Sequence, residues 1–338
     1  MMSPEKRQTD GVRYFSSDSL QSYHLVGWTT PLRLKNMKNN AITGKEKLAR
    51  LIAEPSSPLA VRGELFVTPK VLAEVGFDQT PKRIVDFFSS IGADICFYNW
   101  TESSNPSDLH EMMKLCHQAG LGFGLTIDGP FERLAQTGDL FSLLPEIGTN
   151  ASALKSRIAD KAEEFEKDLR AIGTFEQGPI LICEDMAYDR GLYFSPAIFR
   201  ESLLPIYQRA TTDPMLRGSL WGWHSDGNLS AILPDLVNLG IRFFSLETEC
   251  VDLLKFKQNY RHQVTLVAGL RTAWLVEEDW EHEEEFSGIE EITPLLNEGG
   301  LILSSTCGIF DAHSLQQLRK IYHALEASSD PFHEKPGP

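Results

Sequence analysis

Three segments concentrate the side chains able to do chemistry: CEDMAYDRGLYFSP (183–196), WHSDGNLSAILPDLVNLGI (223–241) and SSTCGI (304–309). The first sets Glu184 beside Asp185, a carboxylate pair able to accept or deliver protons. The second places the His224 imidazole two residues before the Asp226 carboxylate, and the third carries Cys307. Asn99, Asp128, Glu247 and Arg271 share one property with them: each closes or follows a short apolar run of strand character.

Eight such runs are present: 59–67, 93–98, 122–127, 179–183, 219–223, 241–246, 264–268 and 301–305. Amphipathic stretches separate nearly all of them. Pro81–Ser90 carries Ile84, Val85, Phe87 and Phe88 on one side, and Pro106–Ala119 carries Leu109, Met112, Met113 and Leu115. Ser195-Pro196 reads as a helix start, because Ser caps free N–H groups and Pro needs no donor in the first turn. Gly120 and Gly240 read as helix ends in the left-handed conformation. Strand–helix alternation repeated eight times predicts an α/β fold, a single (β/α)8 TIM barrel with an N-terminal extension. A doubly wound open sheet is the alternative. Its phosphate-binding glycine loop should lie between strand and helix, whereas Gly120, Gly122 and Gly124 lead into a strand.

On a barrel, active sites lie at the carboxyl ends of the strands. Asn99, Asp128, Glu184 with Asp185, His224 with Asp226, Glu247, Arg271 and Cys307 then share one rim. Six of the eight strand ends supply an ionisable or ligating side chain. Any one of them is plainly read as a capped loop residue. Their convergence, which like-charge repulsion makes costly, favours an active site.

Composition narrows the class. The 338 residues carry 47 acidic and 32 basic side chains, a formal charge of −15, against nonspecific nucleic-acid binding. No apolar stretch approaches a membrane span, and the first residues lack a signal-peptide core, so a cytoplasmic protein is expected. Five scattered cysteines without a CxxC pair argue against a disulfide framework. Residues 1–43 form a polar arm with six Lys/Arg against three Asp/Glu, 44–330 the barrel and 331–338 a flexible tail. The run EEDWEHEEE (277–285) reads as a solvated loop, with docking of a basic partner face as the sharper alternative.

The acidic loop at 184–185, the SP-helix at 195–196, the H-x-x-G-N segment at 224–228 followed by LPDL, the turn near Gly269 and the final GI at 308–309 occur in a characteristic order. Over roughly residues 45–327 the chain resembles the uroporphyrinogen decarboxylase superfamily. That superfamily holds the decarboxylase itself and the corrinoid-dependent methyltransferases acting on coenzyme M or tetrahydrofolate.

The decarboxylase branch fits poorly. Its arginine-rich stretch after the first strand survives only as Arg62, just upstream of the corresponding segment. Its catalytic aspartate falls on Asn99, an amide, and its late histidine falls on Cys307. An octacarboxylate substrate would also meet a strongly acidic protein. The methyltransferase branch fits better. Members that alkylate thiols hold zinc through H-x-C…C, and here the resemblance implies His224 and Cys307 at two of those positions, with Asp226 replacing the middle thiolate. That set is able to bind Zn2+ or another divalent ion but is harder than a two-thiolate one, and Glu247 or Glu184 is available to complete it. The plainer alternative makes Asp226 a helix cap or the group that orients His224.

The resemblance therefore implies a methyltransferase moving a methyl group between a corrinoid (protein-bound cobalamin, methylcobalamin as co-substrate) on a corrinoid-binding partner and a small acceptor. Tetrahydrofolate is favoured over a thiol. Glu184, Asp185, His224 and Asp226 are the expected catalytic residues. Arg62, Asn99, Trp100, Asp128, Tyr193, Asn228, Glu247 and Arg271 are expected to contact substrate. Tyr98, Tyr188 and Trp223 join Trp100 and Tyr193 as aromatics for stacking on a flat heterocycle. Homodimerisation is common in the superfamily. Two alternatives stand: a decarboxylase or lyase of a non-porphyrin substrate, with Arg62 or Arg271 holding a carboxylate, and a non-catalytic corrinoid- or pterin-binding barrel.

Overall fold

In the computed structural model the described residues are 42–138, 140–276, 286, 288–305 and 308–327. Residues 1–41, the tail 331–338, the acidic run 277–285 and Cys307 lie outside them. All eight expected strands form, as β1 (Ala60–Arg62), β2 (Ile95–Trp100), β3 (Gly122–Asp128) and β4 (Pro179–Cys183), then β7 (Leu220–Ser225), β8 (Phe243–Leu246), β9 (Thr265–Leu270) and β10 (Leu301–Ser305). A small antiparallel hairpin not expected from the sequence, β5 (Ala187–Tyr188) and β6 (Gly191–Leu192), interrupts the β4 connection.

The eight strands make one curled parallel sheet in the order β1-β10-β9-β8-β7-β4-β3-β2. This is barrel order, each strand beside the next in sequence, with helices in the connections. Between the two end strands no ladder is recorded among the described residues. One backbone hydrogen bond links them, from Asp94 N–H to the Arg62 carbonyl at 2.8 Å. β1 is shorter than the apolar run 59–67 for a local reason. The Ser305 N–H donates to the Glu64 carboxylate, at 3.1 Å to Oε2, so a side chain takes a donor that a ladder carbonyl would use.

Helix starts follow the local chemistry. Pro81–Ser90 is helical as expected, and Pro106–Gln118 ends one residue short of Ala119. The Ser195 hydroxyl accepts from Ile198 N–H, and Gly120 and Gly240 adopt φ of +75° and +94°. Among the described residues no helix is long and apolar enough to cross a membrane.

Strand alternation divides the apolar side chains into two layers. One, including Trp100, Ile180, Ile182 and Trp223, packs between sheet and helices. The other, Val61, Leu65, Ile95, Phe97, Leu181, Phe243, Val267 and Ile302, fills the concave side with Leu48 and Leu51 from the Gly44–Ala53 helix. That helix sits by the amino ends of the strands: Lys45 N–H donates to the Gly120 carbonyl, and Lys47 bonds Asp94 at 2.7 Å. Gly124 is needed inside, because a Cβ there would meet the Phe97 ring at 2.4 Å. The glycine cluster 120–124 thus serves a helix end and interior packing.

If the first helix is the floor of this interior, Leu48→Ala costs about 2–5 kcal/mol in equilibrium urea unfolding, since Leu48 is almost fully enclosed. A loss below about 1 kcal/mol would show that the floor is dispensable.

Candidate active site at the carboxyl rim

β4 and β7 lie side by side, with Cys183 level with His224, so the residues that leave them meet. His224 is buried, 4% exposed. Its Nδ1 lies 3.0 Å from Ser245 Oγ on β8, and Phe66 packs edge-on at 5.0 Å between ring centroids. Its Nε2 lies 4.0 Å from Asp185 Oδ1. The same Asp185 oxygen accepts the Asp226 N–H at 2.8 Å and ties the two connections together. Ligand-capable atoms of Asp185, His224 and Asp226 all fall within 4.8 Å of one another.

The turn behind the cluster is fixed by Gly227 at φ +78°, where a Cβ would lie 2.6 Å from the Ala187 carbonyl carbon. Glu247 accepts the Gly227 N–H at 2.7 Å and the Cys250 thiol at 3.1 Å. Asn228 caps the turn through Ser230 N–H, and its own N–H donates to the Tyr188 carbonyl. The hairpin is thereby held over the loop, with Tyr188 stacked on Tyr193 at 5.9 Å.

Glu184 behaves differently from its neighbour. It is fully buried and accepts from Phe131 N–H at 3.1 Å, from Glu132 N–H at 2.7 Å, and from the Tyr207 hydroxyl. Burial pushes its carboxyl up to about 8 against the pull of those donors. Its place is behind the site, clamping the Pro130–Gln136 helix that follows β3.

That clamp brings in Glu132, which no strand-end rule identifies. Burial first, then the charge of Asp185, raises its carboxyl to about 7. Gln136 donates to both Glu132 and Asp128 at 3.1 Å. Pro130 and an acid in the next turn directly after β3 were the only sequence signals. Ser245 and Tyr207 were equally invisible, one an inward strand serine and the other 23 residues beyond its partner.

The remaining expected residues scatter. Asn99 is on the rim, accepting from Thr126 Oγ at 2.5 Å. Trp100, Trp223 and Tyr98 point to the helix layer, because alternation turns them outward from the concave face. Arg271 is engaged by Glu249 at 3.7 Å and Glu291 at 3.3 Å. Arg62 lies by the amino ends of the strands, where Asp94 at 3.6 Å and the Tyr322 ring hold it. Cys307 lies outside the described residues.

Burial and charge oppose each other on His224 and act together on Asp226. Burial lowers the His224 pKa although nearby carboxylates pull it up, so the imidazole is held neutral. Burial raises Asp226 to about 8, and Asp185, Glu247, Glu132 and Glu249 push the same way. Asp226 Oδ1 is enclosed and has no hydrogen-bond partner among the described residues.

No protein-family model matches the chain, and no curated protein does. Among solved structures, a methyltransferase from Methanosarcina mazei superposes with a TM-score of 0.63 at 16% identity, covering 85% of this chain and 99% of that one. The two chains share a fold. A putative vitamin-B12-independent methionine synthase from Listeria monocytogenes aligns with a TM-score of 0.48 at 16% identity, over 80% of this chain and 98% of that one.

The raised Asp226 carboxyl sets a pH test. Its folded pKa exceeds the unfolded one, so its charged form opposes folding, and stability is lost as pH rises from about 4 toward about 8. In chelator, Asp226→Asn lacks this loss, so its melting temperature gains on wild type across that window. Parallel curves for the two proteins would show that Asp226 is not the group responsible.

Proposed function

We propose that the protein transfers a methyl group between a corrinoid carried on a partner protein and a small nitrogen acceptor of the tetrahydrofolate kind. The observation that carries the reading is the Asp185–His224–Asp226 cluster, at the carboxyl rim of a fold shared with a methyltransferase. In the transfer the Co–C bond breaks with its electron pair left on cobalt. The acceptor nitrogen uses its lone pair to form the new bond, and its proton must leave. Glu132, at about 7, suits that proton near neutrality.

The residues fit a bound divalent ion of the kind the resemblance implies. His224 is neutral and anchored through Nδ1 by Ser245, and Asp226 presents an enclosed oxygen without a donor. When bound, such an ion supplies a positive charge that draws an electron-rich acceptor atom to the rim. Oxygen donors in place of thiolates favour a nitrogen or oxygen acceptor over a thiol.

A corrinoid partner would dock on the rim, where Tyr188 and Phe310 are exposed in the segments leaving β4 and β10. The lyase alternative gains nothing from its arginines, since Arg62 and Arg271 are both held by carboxylates.

The test is methyl transfer from methylcobalamin, with tetrahydrofolate and a thiol offered as separate acceptors. Turnover is expected with tetrahydrofolate. His224→Ala should reduce it by at least about 100-fold, and Glu132→Gln should remove the rise in rate through pH 7. Wild type indistinguishable from His224→Ala with both acceptors would sink the reading.

A further inference from the structure

The geometry points to a divalent-cation site whose third ligand is Asp185, giving a shell of one imidazole nitrogen and two carboxylate oxygens from His224, Asp185 and Asp226. The inference deepens the reading above, resting on it only for the use to which the ion is put. The resemblance gives Asp185 no ligand role. It looks instead to Cys307.

One enclosed oxygen without a donor, Asp226 Oδ1, and one ring nitrogen without a hydrogen bond, His224 Nε2, lie beside the third residue. The His224 side chain is 6% exposed, yet its Nε2 makes no hydrogen bond among the described residues, and the nearest acidic oxygen is Asp185 Oδ1 at 4.0 Å. Asp226 Oδ1 is enclosed and without a donor. A buried polar atom left unpaired costs free energy, and Asp226 Oδ1, close to an imidazole nitrogen and a second carboxylate, calls for a partner that they share. Among the described residues no lysine or arginine pairs with Asp185 or Asp226. A cation is the partner that satisfies all three atoms at once.

The geometry needs little movement. The ligand atoms lie within 4.8 Å of one another, and Asp185, with a side chain 44% exposed, can rotate inward while its backbone stays put. His224 is anchored at Nδ1 by Ser245 at 3.0 Å, the usual arrangement for a metal-bound imidazole, whose second nitrogen is held by a neighbour. Glu247 is not among the residues whose ligand atoms gather within 4.8 Å, and Gly227 N–H and the Cys250 thiol engage its Oε2. Three protein ligands leave positions open for water or substrate, and the oxygen-rich set is harder than a thiolate centre.

Co2+ added to metal-free protein tests the assignment. One equivalent is expected to bind with visible d–d bands and no near-ultraviolet thiolate-to-cobalt charge-transfer band. Asp185→Asn keeps an oxygen for the Asp226 N–H while removing the charged ligand. Its Co2+ and Zn2+ affinities by calorimetry should fall at least about tenfold. Asp189→Asn, on the exposed turn of the hairpin, should leave both unchanged. A charge-transfer band, an Asp185→Asn affinity equal to wild type, or wild type that binds neither ion overturns the site. Ion binding without methyl transfer retires the proposed function and leaves this site standing. Methyl transfer by protein that binds no ion does the reverse.

Discussion

A side chain pointing to the concave face of a curled parallel sheet shares that space with its counterparts on every other strand. This packing constraint positions the whole site. Toward the amino ends the shared space is filled with hydrocarbon, by Val61, Ile95, Phe97, Leu181, Phe243, Val267 and Ile302 over Leu48 and Leu51. Two residues further along the same strands, Phe97 gives way to Asn99 and Phe243 to Ser245. With period two these new residues face the same way. They pair across strands, the exposed Asn99 with Thr126 and the buried Ser245 with His224. The change from apolar to polar filling within one repeat fixes the depth at which chemistry begins.

Above that level the difficulty is charge. Burial disfavours the charged form of His224 and of Asp226 alike, and a separation of 4.0 Å from Asp185 to His224 Nε2 is too long for a strong ion pair. Left alone, the cluster resolves toward neutrality, with Asp226 protonated around neutral pH. A cation would reverse that balance and let Asp226 ionise. Stability and function then oppose each other at one residue, as is common where groups are arranged for catalysis rather than for folding.

The sequence predicted the parts of the fold that depend on local pattern. Eight apolar runs, the Ser195 cap and the Gly120 and Gly240 helix ends all depend on a few neighbouring residues, and all appear. The rim was legible in the same way, since His224, Asp226 and Asp185 need only a strand end to place them. What stayed hidden depends on which side of a strand faces in and on distant partners. Trp100 and Trp223 lie at strand ends yet face the helices. Arg62 is drawn to Asp94, and nothing in an isolated strand reveals that Asp94 lies beside it. Glu132 reads as an ordinary acid in a helix until Glu184 takes its N–H.

Two other buried carboxylates separate supporting groups from acting ones. Glu64 is raised by burial to about 7 and Glu184 to about 8, so a raised pKa alone would nominate both beside Asp226. Their hydrogen bonds decide otherwise. Glu64 accepts from Ser305 N–H, Ser305 Oγ and the Tyr322 hydroxyl, and Glu184 from two helix N–H groups and Tyr207. Each carboxylate ties a strand connection to a helix and has its oxygens engaged. Asp226 Oδ1 is enclosed too, and has no donor among the described residues. An enclosed oxygen left unsatisfied marks the group that waits for something from outside the chain. On that criterion Asp226, rather than Glu184, is the carboxylate around which the site is built.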